Sequence, residues 1–464
     1  MKYSLICMSF LISLLTGCDL KVASKIQTYS PVPGLQESNL YSIRVNHQDI
    51  WTEKLRTSFD LDQLPIWFTG APQVNKQQEL HLAHFSCQGA VKIQITIADS
   101  VDSLTIHPKS RNIITRIENN QFSFTLLEPD YLYIRVNNLP PLCLFADPLE
   151  HNIPDSTDSR VIYFGPGIHR PGMMFPDDGT TIYIAGGAVV YGGIETDGQS
   201  HIQVRGRGIL DGDFKYNRMV KPENSSDILF DGIIIRNSRS WTNTIINCRD
   251  VTYRHIKVIS FRPGGDGINP LGSQNVTIDH CFFRCTDDCI AIKSPDENHI
   301  VKNIQITNNT MIGYAFSDGC TIGFETNGPS ISDVLVQNCD IIQARGGSRV
   351  DGHSAFSIIC DGPAEISNIR YENIRVEKDV LKLFEIHITD GTKYGLDPPG
   401  RVHDIYLRNI IWAAEKPIIL QGLDDQHNIV NVTFDSCRVA GQLLKSARED
   451  LFQINDYVEN IVFR

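Results

Sequence analysis

No basic run occurs anywhere in this chain, and its 42 Lys and Arg are outnumbered by 54 Asp and Glu, giving a formal net charge of −12. That excludes nucleic acid as the main partner, because phosphate binding needs clustered cations. No CxxC pair appears among the 12 cysteines, so the usual spacing of a zinc site is missing. Cys281, Cys285 and Cys289 are evenly spaced, but they sit in strand-like sequence, where free cysteine serves as a small core residue. After the first eighteen residues no segment is apolar for long enough to cross a bilayer. What is left is ordinary globular material, 464 residues with 41% hydrophobic and 21% charged, enough for one large domain and a smaller one.

The first eighteen residues stand apart. Lys2 supplies a positive start, Leu5 to Leu15 is almost unbroken apolar sequence, and Thr16 and Gly17 precede Cys18. The apolar stretch is too short to span a membrane and reads as a signal peptide. Leu15-Thr16-Gly17-Cys18 resembles the lipobox of bacterial lipoproteins, which implies lipidation at Cys18. Residues 1–18 are therefore expected to be a lipoprotein signal and 19–40 a tether. The mature chain would be an exported cell-envelope protein held to a membrane by its lipid.

From residue 227 onward one pattern recurs: Asn or Asp, then Ile or Val, then alternating apolar positions. It begins at Asp227, Asp250, Asn275, Asn303, Asp333, Asn368, Asp404, Asn431 and Asn460, at intervals of 23, 25, 28, 30, 35, 36, 27 and 29 residues. The alternation within each unit is strand sequence. No amphipathic helix of normal length separates the units, so they are not βαβ repeats. A short strand recurring at about this period predicts a parallel β-helix, whose coils bury their inner faces only by stacking. The repeated Asn and Asp fit turns, where they tolerate left-handed backbone. Thr181 and His201 open earlier stretches of the same kind, placing the β-helix at 156–464. Residues 41–155 hold alternating strands without the repeat, predicting a small antiparallel β-sandwich that caps the open N-terminal end of the helix. The fold class is therefore all-β.

The chemistry concentrates between Pro263 and Ser294. Asp266 lies in a glycine-rich corner, and Asp287 and Asp288 follow 21 and 22 residues later, about one coil. One coil returns the chain above its starting point, so Asp266 should lie beside the doublet, with Asp318 a further 30 residues on at the next rung. Carboxylates stacked this closely repel one another, which pushes at least one pKa up. Glycosidic hydrolysis needs such a set, one carboxyl protonated for the leaving oxygen and another ionised to activate water.

Asn237–Trp241, then GGDGI, TDDCIAIKS and SDGCTIG, together resemble the polygalacturonase-type glycoside hydrolases of family 28 over about residues 160 to 440. The sandwich followed by a helix is also similar to the dextranase-type family 49. Both resemblances imply a right-handed β-helix and an inverting mechanism without a metal or other cofactor. They imply Asp287 as general acid and Asp266 and Asp288 as holders of the attacking water. The substrate would be a polysaccharide or oligosaccharide, pectic or neutral, handled by a monomer.

The chain departs from the family 28 pattern at two places. Ser317-Asp318-Gly319 stands where that family has GHG, and about Phe356-Ser357-Ile358 where it has RIK. The second departure removes the expected cationic grip on an acidic sugar. Lys293, Arg345, Arg349 or His353 could supply it from other loops. Substrate-binding candidates are Asp318, Lys293, Trp241, Glu325 and His353, with Tyr314 and Phe316 as further stacking rings. His255 and His387 read as structural. Two other functions fit the same sequence: a β-helix polysaccharide lyase using calcium, and a glycan-binding protein with an inactive site.

Overall fold

A computed structural model describes residues 24–56, 79–346 and 352–464. Cys18, the signal segment and Arg349 lie outside the described residues. Those residues form strands and turns, with one short 3-10 turn at Lys109–Arg111.

The large body is a right-handed parallel β-helix. Each coil contributes three strands. The first face is a 12-stranded parallel sheet running from Val161–Phe164 to Val458–Phe463. The second and third faces carry shorter strands, as in the coil Gln274–Asp279, Phe282–Cys285 and Ile290–Ser294. Side chains alternate inward and outward. The inward set, including Val276, Ile278, Phe283, Cys285, Ile290 and Ile292, forms one continuous core.

The repeat is explained by its backbone. Asp227, Asp250, Asn275, Asn303, Asp333, Asn368, Asp404, Asn431 and Asn460 all have φ between 51° and 61°. A left-handed residue is needed here in every coil, and Asn and Asp accept it at low cost. Their side chains also join coils: Asn303 donates to Asn275 at 2.9 Å, which donates to Asp250 at 2.9 Å. A second left-handed position follows many first-face strands, as at His255, His280, Asn308 and Asn338. All ten described cysteines are buried and free, several of them in the core of the coils.

The smaller body pairs two sheets around their own core, Ile43, Ile93 and Phe122 from one meeting Leu132, Ile134 and Leu144 from the other. Two expectations need correcting. The sandwich is not wholly antiparallel, because His81–Gln88 and Leu142–Pro148 pair in parallel. Nor does the sandwich cap the end of the helix; it packs along the side. Leu82, Tyr131, Tyr133 and Phe145 meet the outward residues Val189, Ile209, Ile234, Phe282 and Ile312 of the second face, spanning successive coils. That column is apolar outward as well as inward, which demands a cover. Lys25–Gln27, inside the expected tether, pairs with the edge of a sandwich sheet.

Buried ion pairs fix this junction. Arg236 of the helix binds Glu53 of the sandwich and Asp211 of the preceding coil, each at 2.8 Å. Lys257 reaches Asp147 of the sandwich at 2.7 Å, and the Tyr131 hydroxyl donates to the same carboxylate at 2.6 Å. Burial works to raise the Asp147 carboxyl, but Lys257 and Arg207 together with these hydrogen bonds hold it below the ordinary value.

Candidate active site

The register of the third face assembles the aspartates. Asn243 pairs with Ile268, Ile268 with Ile290, and Ile290 with Cys320. Trp241, Asp266, Asp288 and Asp318 each lie two residues before one of these partners, so they share one corner on four successive coils. Coils stack at roughly 4.8 Å. One oxygen from each of Asp266, Asp287 and Asp288 lies within 4.8 Å of the others.

The three carboxyls have different surroundings. Asp266 is buried, takes a hydrogen bond from Asn269 at 2.9 Å through Oδ2, and has no hydrogen-bond partner at Oδ1. Burial and then the neighbouring Asp288 push its pKa up to about 8, against the pull of Lys293 and Asn269. Asp287 is partly open to the cleft, and its Oδ1 accepts the backbone N–H of Asp288 at 3.0 Å. Burial of its carboxyl and then Asp266 push its pKa well above the usual carboxylate range. Asp288 accepts the backbone N–H of Asp318 at 2.7 Å.

Asp318 is tied into the wall. Its carboxylate accepts the Ser354 N–H at 2.7 Å, faces His353 Nδ1 at 3.2 Å and takes the Ser357 hydroxyl. His353 Nδ1 is also 4.0 Å from Asp288 Oδ1. Asp288, Asp318 and His353 could offer ligand atoms to a cation, as could Asp266, Asp287 and Asp288. Both sets are small, and the second is the carboxyl cluster that the sequence singled out for acid–base work.

These residues line a cleft of about 640 Å³, together with Trp241, Lys293, Phe316, Phe324, Glu325, Lys393 and Tyr394. Lys293 pairs with Glu325 at 3.1 Å and sits 5.2 Å from the Trp241 ring centroid. Burial opposes its charge, but Glu325, Asp266 and Asp288 outweigh that and raise its pKa. Along the third face the cleft is lined by the small residues Thr321 and Gly323.

Thus the structure gathers Asp266, Asp287, Asp288, Asp318, Lys293, Trp241, Glu325, His353 and Phe316 into one cleft. Others go elsewhere. Tyr314 stacks on Arg284 at 4.0 Å, Arg345 pairs with Asp379, and His255 lines a groove between sandwich and helix. His387 sits beside Glu385 at 3.9 Å. Phe356 and Ile358 are core residues and Ser357 binds Asp318, so no cation stands at that place. Phe324, Lys393 and Tyr394 were not singled out from the sequence. Phe324 had a signal in lying next to Glu325; the other two had none.

Residues 175–390 match the family model described as Glycosyl hydrolases family 28. A probable exopolygalacturonase B of Aspergillus flavus is 28% identical over 185 residues, 37% of this chain and 40% of that protein. Exopolygalacturonase B of Aspergillus niger is 23% identical over 228 residues, 42% of this chain and 50% of that protein. The chain thus spans half or less of the length of these curated relatives. Among solved structures, Dex49A from Penicillium minioluteum has the same fold, with a TM-score of 0.61 at 15% identity over 94% of this chain and 96% of that one.

Proposed function

We propose that this protein hydrolyses O-glycosidic bonds of a pectic polysaccharide by acid–base chemistry at Asp266, Asp287 and Asp288. The observation that carries the reading is the carboxyl cluster itself. Oxygens of Asp266, Asp287 and Asp288 lie within 4.8 Å of one another at the cleft, and burial together with Asp266 raises the pKa of Asp287 well above the usual carboxylate range, as a proton donor needs.

Asp287 donates its proton to the leaving glycosidic oxygen as the bond to the anomeric carbon breaks. Asp266 and Asp288 hold a water between them. Asp288 takes its proton as the water oxygen bonds to that carbon, so the anomeric centre inverts. A two-carboxylate inverting site usually separates its groups by about 6.5–9.5 Å, whereas a retaining site uses about 5–5.5 Å. The oxygens here approach within 4.8 Å. Inversion therefore rests on the paired flanking carboxyls, which suit a shared water better than a single nucleophile, and on the family 28 resemblance. The absence of a cation at Phe356–Ile358 favours a second substrate class, a neutral glucan, on the same chemistry.

Export and anchoring through Cys18 belong to this reading as expectations from the sequence. Reducing-end release from polygalacturonate, rhamnogalacturonan and dextran by the native protein and by Asp287→Asn tests the function, with proton NMR reporting the first anomer formed. Cleavage lost in the variant supports it. An initial product of retained configuration would overturn inversion, and a native protein that binds these glycans without cutting them would overturn hydrolysis.

A further inference from the structure

The cleft wall farthest along the helix is a loop between the strand Phe384–Ile388 and the strand Val402–Arg408. It is held by buried polar groups. Asp361, fully buried, accepts the Thr392 hydroxyl at 2.8 Å and the Thr326 N–H at 3.1 Å. Asn327 donates to the Tyr394 carbonyl at 2.9 Å and accepts the Leu396 N–H at 2.7 Å. Gly395 packs so tightly on Asp361 that an added Cβ would lie 1.6 Å from its carbonyl oxygen. A buried carboxylate is costly unless it is this fully bonded, so the loop has a set shape.

That shape presents Lys393 and Tyr394 to the cleft. Tyr394 is 46% exposed and packs on Phe324, with ring centroids 5.7 Å apart. The Lys393 ammonium lies 4.6 Å from the Tyr394 ring centroid. Lys293, the other lysine of the cleft, is engaged by Glu325 and by the Phe324 carbonyl at 3.3 Å. No ion pair is found for Lys393 among the described residues. The two loop residues therefore join an open cation to a flat ring at the cleft wall.

We infer that Lys393, presented by the stapled loop beside Tyr394, is a specificity-determining residue that binds the carboxylate of an acidic sugar unit. The inference rests on the cleft being a glycan site. It restores by another route the grip missing at Phe356–Ile358. An ammonium offers a point charge and not a fork, so it selects charge more than orientation.

The test is calorimetric binding to the Asp287→Asn protein, which separates recognition from cleavage. Probes are short oligogalacturonates and the same oligosaccharides with their carboxyls reduced to alcohols. Adding Lys393→Gln should weaken the acidic ligand about two- to fivefold, as expected for a partly exposed charge pair. It should leave the reduced ligand unchanged and abolish most of the salt dependence, while Lys393→Arg keeps acidic binding. Equal weakening of both ligands, no weakening of the acidic one, or no binding of either by the parent overturns the inference. Selective acidic binding in a native protein that releases no reducing ends would sink the hydrolase reading and leave the subsite standing.

Discussion

The backbone N–H of Asp318 donates to the Asp288 carboxylate at 2.7 Å, while the Asp318 carboxylate accepts the N–H of Ser354 at 2.7 Å. One aspartate thus orients the carboxylate of the coil before it and is itself oriented by the coil after it. Asp318→Asn should leave the strand pairing intact but set an amide among the donors of His353, Ser354 and Ser357. We expect a loss of about 1–3 kcal/mol in stability from the mismatched donors and a fall in kcat with little change in KM. Urea unfolding and steady-state kinetics on the variant check both. An unchanged kcat would remove Asp318 from the positioning chain.

Removing single carboxyls should be severe. Asp287→Asn and Asp288→Asn should each lower kcat by about a hundredfold or more, the usual scale of a positioned acid or base. Because the carboxyls act together, the double variant should be little worse than either single one. Multiplicative losses would show independent roles.

The raised carboxyls bear on stability against pH. An unfolded Asp titrates near about 3.9, whereas folded Asp266 titrates at about 8. Between these values the folded chain binds a proton that the unfolded chain has lost, so stability falls as pH rises through the window. Relative to the native protein, Asp266→Asn should flatten the decline in Tm between pH 4 and pH 8. The same slope in both proteins would contradict the assignment.

Lys257 and Asp147 give a test of the junction. Lys257→Met leaves a buried carboxylate with the Tyr131 hydroxyl but without its cation, a change worth about 3–5 kcal/mol. Replacing both, as Lys257→Met with Asp147→Leu, should recover much of that loss. Denaturant unfolding of the three proteins measures the difference.

Much of the helix was legible because its turns impose a chemical demand. A left-handed residue in every coil selects Asn or Asp, so Asn275, Asn303 and Asn431 announce the period directly. The aspartate column was legible for the same reason, since coil length converts 21, 22 and 30 residues into adjacent rungs. The side-on sandwich was not. Val189, Ile209 and Ile234 point outward beside inward-facing Val190, Leu210 and Ile235, and apolar residues on both faces do not say what covers the outside. Lys393 and Tyr394 were hidden because their place depends on Asn327 and Asp361, 67 and 31 residues from the loop positions they bind.

Among the described residues the sandwich's ion pairs with the helix run as far as Asp340 and Glu377, through Arg111 at 2.9 Å and His107 at 2.9 Å. Among the described residues the coils from Val402 onward lie past that brace. The molecule is in effect a cantilever, supported along one part and unsupported at the other. Amide exchange should then run faster in the final coils than in the aspartate rungs, with the Lys393 loop standing near the point where the support ends.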